Sequence, residues 1–189
     1  MIYEIEVIDY TKMDVSDLTD ASKILNGVDF SKLNGGKVAI FIEMFASAMS
    51  PNVNGLINKA YETVRDKREY AEERRQVTFV LDEFSSIGAV GEIPGLAKIM
   101  AACRTYRVNF IITVQAVEQL KEMYGENYNE IIANCDSIVM MKSWLWTPDD
   151  LEMIKSEEVV EKLKNIDDDE CMVMVREYKP MIDKKIAIA

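Results

Sequence analysis

Val77-Thr78-Phe79-Val80-Leu81-Asp82-Glu83-Phe84 is an apolar run of strand-forming residues that ends abruptly in two carboxylates. β-Branched and aromatic side chains favour the pleated conformation, and a run with so few polar positions reads as a strand buried on both faces. Upstream, Val38-Ala39-Ile40-Phe41-Ile42 is another such strand. After Ser50-Pro51, the residues Val53, Leu56, Ile57, Ala60, Tyr61 and Val64 fall at helical spacing, and the polar stretch 65–75 extends that helix into solvent. Downstream, Leu96, Ile99, Met100 and Cys103 form the stripe of a helix beginning near Gly95, which returns the chain to a strand at Phe110-Ile111-Ile112-Thr113-Val114. Strand–helix–strand units of this kind imply right-handed parallel crossovers. Val117 to Met123 and Glu130 to Asn134 read as short helices, and Ser137-Ile138-Val139-Met140-Met141 as a further strand. The fold class is therefore α/β, a three-layer, mainly parallel sheet with helices on both faces.

The ends of the chain carry weaker patterns. Ile2 to Ile8 alternates as an edge strand, Asp14 and Ser16 can cap a short helix reaching about Leu25, and Asn34-Gly35-Gly36 is a turn. Thr147-Pro148-Asp149-Asp150 and Ser156-Glu157-Glu158 are helix starts. Cys171 to Val175 is a strand that can pair with Ile182 to Ile188.

A strand that carries acids to the edge of a sheet is how ATP sites of the P-loop class place Mg²⁺ and the attacking water beside the nucleotide. Asp82 and Glu83 are the candidate acids, the Walker B half of such a site. A buried strand leaving any sheet can also end in an acid, so the pair does not decide the matter alone. The chain nowhere contains G-x-x-x-x-G-K-[ST], the backbone nest that cradles phosphates; Gly35-Gly36-Lys37 lacks both the earlier glycine and the hydroxyl.

Leu81-Asp82-Glu83-Phe84 is followed by Ile87-Gly88, Ile93-Pro94, Arg104, a strand running into Gln115, then Gln119-Leu120, Tyr124-Gly125 and Ile131-Ile132-Ala133-Asn134-Cys135-Asp136. This ordered string resembles the coupling-protein ATPases of conjugation and type IV secretion, the TraG-type family, over residues 37–141. The family's later "ECLVM" strand and K-P are similar to Glu170-Cys171-Met172-Val173-Met174 and Lys179-Pro180. The segment between Met141 and Thr147 is far shorter than the family's. The resemblance implies one truncated RecA-like nucleotide-binding domain over residues 1–189, best matched over 37–141, with a helix–strand extension over 147–189.

The same resemblance implies roles. Asp82 would hold a Mg²⁺-bound water, since hard cations take oxygen ligands and Mg²⁺ keeps much of its water shell, and Glu83 would polarise the attacking water. Gln115 would sense the γ-phosphate. Arg104 or Arg107 would be the finger that reaches a neighbouring subunit's nucleotide. ATP and Mg²⁺ are the cofactors of the intact parent, and neither is expected to bind this chain tightly. The implied partners are neighbouring subunits of a hexamer, relaxosome and secretion-channel proteins, and DNA, at the cytoplasmic face of the bacterial inner membrane. The alternative is a catalytically inactive scaffold that keeps the fold. Each residue also has a plainer reading: exposed loop acid for Glu83, strand-end amide for Gln115, salt-bridging surface arginine for Arg104.

Composition bounds these readings. With 189 residues, 49% of them hydrophobic, the chain can bury a sizeable core. No segment approaches the ~20 apolar residues needed to span a bilayer, and Glu4, Glu6 and Asp9 argue against a signal peptide, so a cytoplasmic segment is expected. The absence of histidine removes Ser-His-Asp and Cys-His nucleophile chemistry and leaves carboxylate-based metal chemistry open. Cys103, Cys135 and Cys171 have no C-x-x-C spacing and read as small core residues. Trp144 and Trp146 read as core packing or an exposed aromatic patch. The net charge of −11 is concentrated between Pro148 and Glu170, where ten acids face three lysines. That stretch reads as a solvated helix face or a dock for basic segments, and it repels DNA, so this chain is expected to hold DNA weakly or not at all.

Overall fold

A computed structural model describes residues 4–9, 29–34, 38–43, 51–66, 76–84, 92–143, 146–154 and 156–185. The expected helix after Asp14, the turn at Gly35-Gly36, Ile87-Gly88, Trp144 and the end of the last expected strand lie outside them. The chain divides into two compact units, Met1–Val114 and Gln115–Ala189.

In the N-terminal unit, strand β1 (Glu4–Asp9) pairs in parallel with β2 (Val38–Glu43), from Glu4 opposite Val38 to Asp9 opposite Glu43. Helix α1 spans Pro51–Asp66; proline at its first position lacks only an N–H that the helix start leaves unused. Strand β3 (Val77–Leu81), helix α2 (Leu96–Cys103), a 3₁₀ turn (Arg104–Tyr106) and strand β4 (Val108–Ile112) form a strand–helix–strand crossover, whereas β2, expected to lead through α1 to β3, is paired with β1 among the described ladders. β3 and β4 are parallel, with Val77 opposite Val108 and Leu81 opposite Ile112. The strand–helix–strand reading of this region is thus the observed one.

One face of that ladder is covered. Tyr61 and Val64 of α1 pack with Val77 and Val108, flanked by Phe79, Ile99, Cys103, Tyr106 and Phe110. Phe79 stacks on Phe110 at 5.2 Å between ring centroids, and Tyr61 meets Tyr106 edge-on at 6.5 Å; such offset and T-shaped pairs suit the ring quadrupoles. The opposite face differs from the expectation of two covered faces. Val80 is 62% exposed and Ile111, its partner across the ladder, 51%. An apolar run shows that a strand wants burial on both sides. It does not show which segment supplies each cover, and here α1 and α2 both contribute to the same core.

In the C-terminal unit, α3 (Val117–Tyr124), a 3₁₀ turn (Gly125–Asn127) and α4 (Tyr128–Ala133) lead to β5 (Ser137–Met141). Then come α5 (Pro148–Glu152), α6 (Glu157–Lys164), β6 (Glu170–Val175) and β7 (Met181–Lys184). β5, β6 and β7 form an antiparallel sheet in that order. The described ladders are therefore two parallel pairs and one antiparallel sheet. β5, read as the next crossover strand, pairs with β6 instead. The link from β6 to β7, residues 176–180, is too short for a parallel crossover. Met140 and Met172 face Ile154, Leu163 and Ile166, with Trp146 packed against them, which settles the core reading of that tryptophan.

The acidic stretch is mostly solvated. Glu158 and Lys162 pair at 2.6 Å one helical turn apart, and Lys184 bridges to Asp169 at 3.1 Å. A hydrogen bond from the Lys184 ammonium, with its charge, holds the Asp169 carboxyl below its usual range; exposed pairs of this kind contribute little to stability. Asp150 is the exception, at 4% exposure. Its Oδ1 accepts the Val117 N–H at 2.7 Å, and its Oδ2 accepts the Thr147 N–H and hydroxyl, both at 2.8 Å. The Thr147 hydroxyl in turn accepts the Asp150 N–H at 3.2 Å, closing a capping box on α5. One carboxylate thus caps two helix starts, α3 and α5. Of the cysteines, Cys171 is buried while Cys103 and Cys135 are half-buried; burial pushes the Cys135 thiol up, Asp136 adds to this and Arg176 opposes it.

Replacing Asp150 with Ala strands the Val117 and Thr147 amides and should cost about 2–3 kcal/mol. This is read as a lower midpoint of thermal unfolding. Asp150→Asn, which keeps the Oδ1 acceptor, should lose less.

Candidate functional site

Parallel pairing brings the C-terminal ends of β3 and β4 to the same edge of the sheet, which is where α/β folds hold ligands. At that edge the chain turns sharply after Leu81. The Thr113 N–H donates to the Leu81 carbonyl at 3.1 Å, and the Phe84 N–H donates to the Thr113 carbonyl at 2.9 Å. Phe84 is buried at 1% exposure and anchors the turn. Asp82 and Glu83, between these anchors, are exposed.

Their arrangement is specific. The Thr113 hydroxyl donates to Asp82 Oδ1 at 2.6 Å. The Glu83 N–H points to both the Thr113 hydroxyl, at 2.9 Å, and Asp82 Oδ1, at 3.0 Å. Glu83 has φ +45°, in the left-handed region that non-glycine residues avoid. Backbone strain of this sort costs of order 1–3 kcal/mol and clusters at functional sites.

The other sequence candidates lie elsewhere. Gln115 is the first residue of the C-terminal unit, and its side chain is exposed. Its backbone is held from within that unit, because Gln119 Oε1 accepts the N–H groups of Gln115 and Ala116 at 3.1 and 3.3 Å. Arg104 and Arg107 flank the 3₁₀ turn that precedes β4. The Arg107 N–H donates to the Arg104 carbonyl at 3.0 Å, and the Arg107 carbonyl accepts the Val77 N–H at 3.1 Å. Arg107 takes φ +53° to do so. Both arginines thus sit at the start of the parallel strands and the acids at their end, roughly 17 Å away at about 3.3 Å rise per residue. The structure brings Asp82 and Glu83 together and does not bring Arg104 or Arg107 to them.

A cation's water could be held by Asp82, and Glu83 lies beside it. Among the described residues no group of three or more His, Cys, Asp or Glu could hold a metal ion by itself. Two carboxylates side by side would suit a cation held through its waters, and they repel phosphate. Sequence reasoning passed over three residues that shape the region. Thr113 was read as part of an apolar strand, Gln119 as motif alone and Asp150 as a helix start; the hydroxyl of Thr113 at the end of an apolar run is a visible signal, whereas Asp150 looks like its acidic neighbours.

Residues 76–155 match the family described as the TraM recognition site of TraD and TraG. The resemblance to the TraG-type coupling proteins is thereby shown. No curated protein sequence matches the chain. Among solved structures, the chain is similar to the bacterial conjugative coupling protein TrwB, with 14% identity and a TM-score of 0.64 over 79% of this chain and 41% of TrwB. TrwB has also been solved with ADP and Mg²⁺. The chain is similar to B204, the DNA-packaging ATPase of Sulfolobus turreted icosahedral virus, with 17% identity and a TM-score of 0.58 over 98% of this chain and 84% of B204. A third is VirB4 of Thermoanaerobacter pseudethanolicus, with 15% identity and a TM-score of 0.58 over 82% of this chain and 42% of VirB4. The likeness shows the fold, a partial α/β core shared with these proteins, and the chain spans about two fifths of TrwB's length. Among the described residues no helix is long and apolar enough to cross a membrane.

Several family-like residues now have structural causes. Leu120 and Tyr124 are buried in α3, and Gly125, at φ +53°, ends that helix in a conformation that suits glycine. Gln119 fastens the turn that carries Gln115.

Asp82→Asn keeps an acceptor for Thr113 and Glu83 while removing one of two adjacent negative charges. The melting temperature should stay unchanged or rise. Unfolding by this substitution would show that the carboxylate charge itself holds the turn.

Proposed function

We propose that this chain is an ATPase-core segment of a conjugative DNA-transfer or type IV secretion coupling protein, the part of a RecA-like core that carries the Walker B acids. The observation that carries this reading is the acid pair Asp82 and Glu83, pinned at the C-terminal edge of a parallel ladder inside the family-matched stretch. In this reading Asp82 holds a Mg²⁺-bound water and Glu83 polarises the attacking water. Gln115 reports the γ-phosphate, and the nucleotide's phosphates rest on a P-loop that this chain lacks. The parent is a membrane-tethered hexameric motor at the cytoplasmic face of the inner membrane. It recruits relaxosome proteins and moves DNA into the secretion channel; the family's description as a TraM recognition site supports a relaxosome partner. Arg104 sits at the opposite end of the strands from its own chain's acids, which favours action on a neighbour's site. A second reading is a scaffold that keeps the fold without hydrolysis, and turnover measurements separate the two.

The chain alone should neither bind Mg-ATP tightly nor hydrolyse it, because phosphate affinity comes mainly from P-loop amides and lysine. Isothermal titration should show no binding tighter than about millimolar, about −4 kcal/mol. Micromolar binding would overturn this assignment of the phosphate half.

The motor reading is tested in a coupling protein that carries both this segment and a P-loop. Arg104→Ala should lower ATP turnover by about 10³-fold or more while sparing ATP binding and assembly. Glu83→Gln should trap ATP in an assembled, inactive ring. Mixing the two inactive proteins should restore part of the activity, since some interfaces then pair an intact Glu83 with an intact Arg104. No recovery at any mixing ratio, with mixed assembly verified, argues against Arg104 acting between subunits; full turnover by Glu83→Gln argues against Glu83 as the acid that polarises water, and no turnover by the unaltered protein supports the scaffold.

A further inference from the structure

Thr113 follows the apolar strand residues Phe110, Ile111 and Ile112, and its side chain is exposed, so a hydroxyl there could simply face solvent. The hydroxyl is nevertheless fully used. It donates to Asp82 Oδ1 at 2.6 Å and accepts the Glu83 N–H at 2.9 Å. The same residue's N–H and carbonyl clasp Leu81 and Phe84 on either side of the acids. A hydroxyl bonded to a carboxylate at this length is a charge-assisted contact, stronger than a neutral one. It fixes one carboxylate oxygen of Asp82, and among the described residues the other has no hydrogen-bond donor. By accepting the Glu83 N–H it also helps to hold that residue at φ +45°.

We propose that Thr113 is a positioning residue for the acid pair: its hydroxyl sets which oxygen of Asp82 faces a water-clad divalent cation and holds Glu83 in its strained backbone conformation. The proposal rests on the reading of Asp82 and Glu83 as the cation- and water-handling acids. Valine at 113 keeps the shape and removes both bonds of the hydroxyl; serine keeps the bonds.

The test uses the whole isotope-labelled chain and NMR. Thr113→Val should speed hydrogen exchange at the Glu83 amide by about 10-fold, the worth of one lost hydrogen bond of about 1.4 kcal/mol, while amides of the β3–β4 ladder change by less than about twofold. Thr113→Ser should restore slow exchange. Unchanged exchange at Glu83 in the valine variant, failure of serine to restore it, or equal acceleration throughout the ladder would overturn the proposal. Should the valine variant not fold, the unaltered chain still decides. A held hydroxyl exchanges slowly enough to give its own line with a cross-peak to the Glu83 amide, and absence of that line overturns the proposal.

Titration with Mn²⁺ alone reads the acid pair separately. In the unaltered chain Mn²⁺ should selectively broaden the Asp82 and Glu83 resonances at about millimolar concentration, and the valine variant should need several-fold more. Equal requirements in the two proteins would overturn the positioning role. No selective broadening in the unaltered chain would overturn the cation reading of Asp82, and a Glu83 amide whose exchange still answers to residue 113 would distinguish that failure from a failure of the Thr113 contact.

Discussion

The in-register parallel pairing of β3 with β4 is the constraint on which the N-terminal unit's candidate site depends. Antiparallel strands could be joined by a tight hairpin, which would put the acids of one strand beside the start of the next. Parallel strands forbid this and force a crossover, here through α2, so that both C-terminal ends arrive at one edge. Asp82 and Thr113 are 31 residues apart in the chain and touch only because Leu81 lies opposite Ile112. A slip of β4 by one residue would turn Phe110 away from Phe79 and Tyr61. Aromatic packing at the base of the ladder thereby sets hydrogen bonding at its top.

The crossover from β3 to β4 was legible in the sequence because its helix and strands differ in period: Leu96, Ile99, Met100 and Cys103 repeat at helical spacing, while Val77 to Leu81 does not. The acid pair was legible because two carboxylates directly after an apolar run are out of place in a core. Pairing was less legible. Ser137 to Met141 has the same apolar character as the parallel strands, and nothing in five residues reveals the direction of a neighbour; the brevity of residues 176–180 fixes only the direction of β7 against β6. The uncovered face at Val80 and Ile111 escaped notice for a related reason, since composition records a need for burial without naming the group that meets it.

Site residues fared unevenly for physical reasons of their own. Thr113 resembles valine in shape and so was read into the strand pattern, though its oxygen organises the turn. Asp150 sits in a stretch of ten acids where any one looks solvated, and only the three donors converging on it distinguish it. Arg104 lies about a strand's length from Asp82, a relation that follows from strand direction rather than from spacing in the sequence.

The left-handed backbone at Glu83 bears on how variation at that position is to be understood. Two adjacent acids invite the assumption that they tolerate change alike, yet only the second must adopt a conformation that β-branched side chains resist and glycine takes without penalty. Glycine at 83 would relax the turn while removing the carboxylate, and valine or isoleucine would be unwelcome on backbone grounds alone. An acid at such a place acts against local conformational preference, and in this chain the opposing hold comes from the end of the neighbouring strand.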